Sequence, residues 1–308
     1  MKSSLFFAKI LLFGEYGIIE NSQGLTLPYS FYKGALGFSD LQNDLEKESN
    51  SHLERYSFFL ENLEVSEDFL LDTKRLREDI KNGLFFDSNI PQGYGVGSSG
   101  ALVAAIYHRY AFNKKDPSHL SREELMDLKA NFGKLESYFH GTSSGIDPLI
   151  CYMNLPLLIA NKESVDKVYL PGEEQGKAAI FLIDSGSVGE TAPMIQIFFE
   201  KMKTEGFRKT LKEEFIKYNN ACIDSFLRRD FPPFFNNLKK LSVWAFEHFR
   251  PMIPTSIYRI WKNGIDSNAY YLKLCGSGGG GYILGFAQDY EKAEELLKDF
   301  RKEVIYRF

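Results

Sequence analysis

Two glycine clusters constrain this chain more than any other feature. Gly276–Ser277–Gly278–Gly279–Gly280–Gly281 places six small residues between two apolar runs, Tyr270–Cys275 and Tyr282–Phe286, both strand-like. Six such residues cost backbone entropy, and a hairpin needs only two or three turn residues. A close approach to a ligand or to another loop explains the excess; a floppy hairpin tip is the plainer alternative. The second cluster, Pro91–Gln92–Gly93–Tyr94–Gly95–Val96–Gly97–Ser98–Ser99–Gly100, runs into a helix-like stretch, Ala101–Phe112. Small residues before a helix let backbone N–H groups approach an anion, and the helix adds the positive end of its dipole. Ser98 and Ser99 add hydroxyls for phosphate or a metal ion. A tight loop-to-helix connection is the structural alternative.

Gly95 to Gly100 also matches the G-x-G-x-x-G of a dinucleotide-binding turn, with Asp116 about 20 residues on. That turn should follow a buried parallel strand. Ser88–Asn89–Ile90–Pro91–Gln92 makes a poor one, and Asp116 falls in a polar stretch, 113–117. A Walker-type loop is excluded, because no Gly-Lys-Ser/Thr closes the cluster.

The chain has 308 residues, enough for one large domain or two, and enough to bury a core without a disulfide or metal staple. Its 37 Lys+Arg against 41 Asp+Glu give a net charge of -4, which argues against a dedicated nucleic-acid binder. Cys151, Cys222 and Cys275 form no C-x-x-C pair, so a disulfide framework or cysteine zinc site is disfavoured and a reducing, cytoplasmic setting fits. The 27 Phe and 17 Tyr predict an aromatic-rich core. Met1 to Gly14 has the basic start and apolar run of a signal peptide. However, Lys9 interrupts the run and no small-residue cleavage site follows, so it reads as a buried first strand. No run approaches the roughly 18 apolar residues of a membrane span.

Further strands are expected over 25–38, at Leu84–Ile90 and at Ala178–Asp184. Helical spacing covers 40–82. A capping box, Ser121 with Glu124, opens a helix over 121–139. A Gly/Ser loop and then an apolar stretch occupy 140–160. Pro193 to Arg250 reads as helical with a break near Pro232–Pro233, and Tyr290–Lys302 as a charged amphipathic helix.

Four stretches, in chain order, together resemble the GHMP kinase superfamily, named for its galactokinase, homoserine kinase, mevalonate kinase and phosphomevalonate kinase members. They are Ala8–Lys9–Ile10–Leu11–Leu12–Phe13–Gly14–Glu15–Tyr16, Pro91 to Ala101, His140–Gly141–Thr142–Ser143–Ser144–Gly145–Ile146–Asp147, and Leu274 to Gly281. The likeness is greatest to mevalonate kinases. It implies an α+β, two-lobed fold: an N-terminal ribosomal-protein-S5-like, ATP-binding domain over 1–175 with a left-handed βαβ unit, and a C-terminal ferredoxin-like domain over 176–308. It implies ATP- and Mg²⁺-dependent phosphoryl transfer to the hydroxyl of a small metabolite, first of all mevalonate in isoprenoid biosynthesis. Phosphomevalonate or a sugar is the alternative acceptor within the family, and a dinucleotide-binding oxidoreductase is the remote alternative outside it. The expected partner is a small molecule, not nucleic acid or membrane, for a monomer or homodimer.

Phosphoryl transfer to an alcohol is helped by a base, a cation and a metal ion. A lysine within an apolar strand is costly unless paired or functional, so Lys9 is the candidate cation; an edge lysine reaching solvent is the alternative. Asp147 before Pro148 reads alone as a cap or turn residue. The resemblance makes it the catalytic base, paired with Lys9. It likewise makes Glu136 a magnesium ligand with Ser99, a hydroxyl–carboxylate set that suits Mg²⁺, with Ser98 as fallback; otherwise Glu136 is a solvated helix residue. Gly93, Gly95, Gly97, Ser98, Ser99, Gly100, Gly278 and Gly279 would hold the ATP phosphates. Glu15, Tyr16 and Thr191 would bind the acceptor, Thr191 otherwise opening a helix before Pro193. Tyr16 stands where mevalonate kinases typically carry His and is more like phosphomevalonate kinases. The lack of a basic cluster for a second phosphate favours mevalonate.

Overall fold

The computed structural model describes residues 4–172 and 176–308. In chain order they form β1 (Phe6–Phe13), β2 (Gly24–Phe38), α1 (Asp44–Glu61), α2 (Thr73–Lys81), β3 (Leu84–Ser88), α3 (Ser98–Tyr110), α4 (Arg122–His140) and α5 (Ile146–Met153). Then come β4 (Leu157–Asn161), β5 (Ser164–Lys167), β6 (Ala179–Asp184), α6 (Thr191–Met202), α7 (Glu205–Thr210), α8 (Ile216–Leu227), α9 (Phe231–His248) and α10 (Thr255–Ser267). The chain closes with β7 (Tyr271–Leu274), β8 (Tyr282–Ala287), α11 (Tyr290–Leu296) and β9 (Lys302–Arg307). Among the described residues no helix is long and apolar enough to cross a membrane.

These residues gather into two compact units. The first comprises 4–9, 27–91 and 97–155; the second comprises 10–26, 92–96, 156–172 and 176–308. The expected division between 175 and 176 falls at 173–175, outside the described residues.

In the first unit β3 pairs antiparallel with the later part of β2, from Gly34 with Ser88 to Phe38 with Leu84. The antiparallel pairing removes the parallel βαβ context that a dinucleotide turn requires. Asp116 accepts from the N–H and hydroxyl of Ser118, a turn role. α4 starts with the capping box foreseen: Ser121 Oγ accepts from the Glu124 N–H at 3.2 Å, and Glu124 Oε2 from the Ser121 N–H at 3.0 Å. α3, α4 and α5 pack on one another around Tyr107, Phe132 and Tyr152, whose rings meet edge to face. The apolar stretch after 140 holds a helix, α5, as well as β4. Its eight residues were too few for periodicity to separate helix from strand.

In the second unit an antiparallel sheet runs β7-β8-β6-β9. β4 pairs with residues 24–26 of β2 and with β5. The break expected near Pro232–Pro233 falls at 228–230, between α8 and α9. The two prolines sit in the first turn of α9, where a missing N–H costs no intrahelical bond. The tail helix α11 ends at Leu296, short of the expected Lys302, where strand β9 begins. The Val304–Ile305–Tyr306 run of β9 suits a strand, and pairing with β6 completes it. Aromatic residues cluster here. Phe198, Phe207, Phe215, Trp244 and Phe249 make one ring cluster, and Phe226, Phe234 and Phe308 another. Such pairs add about 0.5–1.5 kcal/mol each beyond their buried area.

Candidate active site

The first unit brings together Lys9, Ser99, Glu136 and Asp147. β1 is buried along most of its length, and Lys9 is only 4% exposed within it. The buried ammonium is satisfied by Asp147, with Nζ 2.9 Å from Oδ2. The Asp147 side chain keeps 36% of its surface exposed, so the carboxylate is held from one side and open on the other. It lies in the first turn of α5, which begins after Gly145 in the left-handed conformation (φ 72°). The Lys9 stem runs past Gly97, where a Cβ would stand 2.7 Å from Lys9 Cγ.

Glu136 is near the end of α4 and 3% exposed, not solvated. Ser99 Oγ donates to its Oε1 at 2.9 Å, and Ser143 Oγ donates to Oε2. Burial, and then the charge of Asp147, push the Glu136 carboxyl up to about 7. Ser98, Ser99 and Gly100 open α3, so their N–H groups lie at the positive end of its dipole. Cys151 Sγ lies 3.9 Å from the Gly97 carbonyl, and burial raises its thiol far above the ordinary range, so it packs as a small apolar group.

A magnesium ion fits these residues. Ser99 and Glu136 are hard oxygen donors in mutual contact, and a buried carboxylate beside a second carboxylate favours a cation. Among the described residues no three His, Cys, Asp or Glu gather to hold a metal. Mg²⁺ binds through one or two protein oxygens together with phosphate oxygens and water.

The second unit brings residues 92–96 of the first glycine cluster against the second cluster. A Cβ on Gly95 would stand 2.6 Å from the Cys275 carbonyl oxygen, and one on Gly281 2.5 Å from Tyr94 Cα. The Gly189 N–H donates to the Gly93 carbonyl at 3.0 Å. Backbones this close leave no room for side chains, which accounts for the glycine excess. Gly278 and Gly279 have φ near 80° (78° and 80°) and pack against Met252 and Met194.

Glu15 and Tyr16 are buried in this unit, at 5% and 7% exposure. Glu15 forms an ion pair with Lys273 of β7, itself 3% exposed. Tyr16 donates its hydroxyl to the Ser277 carbonyl at 2.7 Å and stacks on Phe198 at 4.6 Å. Burial, then the charge of Glu15, push its phenol far up. The backbone of Tyr16 has φ 55°, a conformation rarely taken by a side chain this large. Thr191 is exposed, opens α6 and accepts from Ser277 Oγ at 3.3 Å. Sequence reasoning missed Lys273 and Ser143. Lys273 carried a usable signal, the same lone lysine in an apolar strand that singled out Lys9. Ser143 lies in the His140–Asp147 stretch, where nothing set it apart from the small polar residues beside it.

Family models place the chain among small-molecule kinases. The chain belongs to the GHMP kinase family. The family model for the GHMP kinases N terminal domain matches residues 65–154, and that for the GHMP kinases C terminal matches 222–305. Together these span more than half of the chain, including Glu136, Asp147 and both glycine clusters, and they set aside the dinucleotide-binding alternative. The α+β two-domain fold expected from the resemblance is that of the family.

Solved structures agree. A mevalonate kinase from L. major in complex with R-mevalonate has TM-score 0.66 and 14% identity, covering 100% of this chain and 96% of that one. The mevalonate kinase of Methanococcus jannaschii has TM-score 0.62 and 18% identity, covering 100% and 99%. The phosphomevalonate kinase of Streptococcus pneumoniae in complex with phosphomevalonate and AMPPNP has TM-score 0.66 and 15% identity, covering 99% and 100%. At these identities the likeness is one of fold. No curated protein matches the chain.

Proposed function

We propose that this kinase transfers the terminal phosphoryl group of ATP to the hydroxyl of mevalonate, as a cytoplasmic enzyme of isoprenoid biosynthesis. The observation that carries the chemistry is the Lys9–Asp147 pair, 2.9 Å apart, with the Asp147 carboxylate left partly open. Asp147 orients the acceptor hydroxyl and takes its proton as the oxygen attacks the γ-phosphorus. The bond from that phosphorus to the β-bridging oxygen breaks, and ADP leaves. Lys9 pairs with Asp147 and offsets negative charge developing on the transferring group.

Ser99 and Glu136 would hold Mg²⁺, which when bound neutralises charge on the phosphates. Gly93, Gly95, Gly97, Ser98, Ser99 and Gly100, with Gly278 and Gly279, cradle the phosphates through backbone N–H groups and the start of α3. On the acceptor side Thr191, the exposed member, makes the direct contact. Glu15 and Tyr16 act through the second glycine loop, which their contacts with Lys273 and Ser277 hold in place. Residues 1–175 and 176–308 serve as the ATP-binding and C-terminal domains.

ATP consumption measured with mevalonate, phosphomevalonate, galactose and homoserine tests the reading. Turnover with mevalonate at a kcat/KM at least tenfold above the others supports it. Preference for phosphomevalonate gives the second reading, which the Gly14–Glu15–Tyr16 sequence favours.

A further inference from the structure

Glu136 has a serine hydroxyl on each carboxylate oxygen. Ser99 Oγ donates to Oε1 at 2.9 Å from the start of α3, and Ser143 Oγ donates to Oε2 from the loop before α5. The Ser143 hydroxyl has one proton, and it goes to Glu136. Its oxygen in turn accepts the Gly145 N–H at 3.1 Å. Gly145 is the N-cap of α5, and Asp147 is the second residue of that helix. One half-buried side chain therefore ties the carboxylate of α4 to the backbone that carries Asp147. The loop packs closely on α4: a Cβ on Gly133 would stand 2.8 Å from the Ser143 carbonyl oxygen.

We infer that Ser143 is a positioning residue that fixes the plane of the Glu136 carboxylate for the metal and couples it to the start of the helix bearing Asp147. The inference rests on the reading of Glu136 and Ser99 as magnesium ligands. A carboxylate held at Oε1 alone can turn about its last torsion, whereas one held at both oxygens presents its remaining lone pairs in one direction. Loss of a side chain that orients a ligand typically costs about 10–100-fold in metal affinity.

The test uses the full chain with Mn²⁺ as the probe ion and AMPPNP in place of ATP, metal binding being read by electron paramagnetic resonance. Ser143→Ala is expected to weaken Mn²⁺ binding by about tenfold or more. The same variant should raise the Mg²⁺ concentration for half-maximal turnover, leave the acceptor KM within twofold and melt like the parent. Ser143→Thr, which keeps the hydroxyl, should restore binding; a Thr variant as weak as the Ala variant would show that the hydroxyl is not what matters, and would overturn the inference. Glu136→Gln is measured alongside. If Glu136→Gln weakens Mn²⁺ binding while Ser143→Ala binds like the parent, the role of Ser143 is overturned and the metal reading stands. If Glu136→Gln binds Mn²⁺ like the parent, the metal reading fails and takes this inference with it.

Discussion

Gly100 rests directly on Asp147: a Cβ built on Gly100 would stand 2.8 Å from the Asp147 carbonyl carbon and 3.0 Å from its oxygen. The start of the helix that follows the first glycine cluster thus seats the start of the helix that carries the proposed base. A requirement that reads in the sequence as phosphate binding is also one of helix-to-helix approach.

Gly100→Ala is therefore expected to displace Asp147. A shift of about 1 Å in a reacting group costs on the order of 10² in rate. The overpacking also costs about 1–3 kcal/mol. Steady-state kinetics should show kcat reduced by about that factor. Gly206→Ala is the control, since its Cβ would meet nothing within 4 Å. It should keep kcat and hold or raise the thermal midpoint.

Asp147→Asn should lower kcat by about 10²–10⁴ and leave the KM for ATP within a few-fold. Lys9→Met should also lower kcat, by about 10²–10³. The two residues act as one pair, so the double variant should be no slower than the slower single variant. An Asp147→Asn enzyme within threefold of the parent would end the assignment of Asp147 as base.

The Glu15–Lys273 pair is buried on both sides, each side chain being 4% exposed. Lys273→Met leaves a buried carboxylate uncompensated and should cost about 3–5 kcal/mol. Lys273→Met with Glu15→Gln should be more stable than Lys273→Met alone, because no charge then remains. Denaturant unfolding of the parent, both single variants and the double variant gives the coupling energy, expected above about 1 kcal/mol. A value near zero would mean that the ion pair does not hold the second glycine loop.

His52 and His108 are both lowered from their ordinary 6.5, each chiefly by burial. Arg55 adds to the effect at His52 against Glu48, and Lys114 adds to it at His108. A folded-state value below the unfolded one means that the unfolded chain binds more protons between the two. The contribution to stability is thus fully present above 6.5 and is lost as pH falls through the lowered folded values. Thermal midpoints at pH 7.5, 6.0 and 5.0 should decline in that order. The His52→Gln/His108→Gln double variant should decline less; an equal decline would place the effect elsewhere.

Features that depend on near neighbours in the chain were legible. β1 with its lone lysine, the capping box of Ser121 and Glu124, and the two glycine clusters all follow from residues a few positions apart. Strand period, cap bonds and left-handed backbone are local physics. The wealth of Phe and Tyr indicated an aromatic core, but not that it would divide into separate ring clusters. α5 was hidden, being too short to show a period. The contacts that most shape the site were hidden too. Lys273 meets Glu15 across 258 residues of sequence, and Ser99 meets Glu136 across 37. The sequence by itself determined which residues carry charge, hydroxyls and backbone freedom. Only the tertiary structure decided which of them meet, because the free energy of an ion pair or hydrogen bond depends on distance and burial, and packing alone sets those.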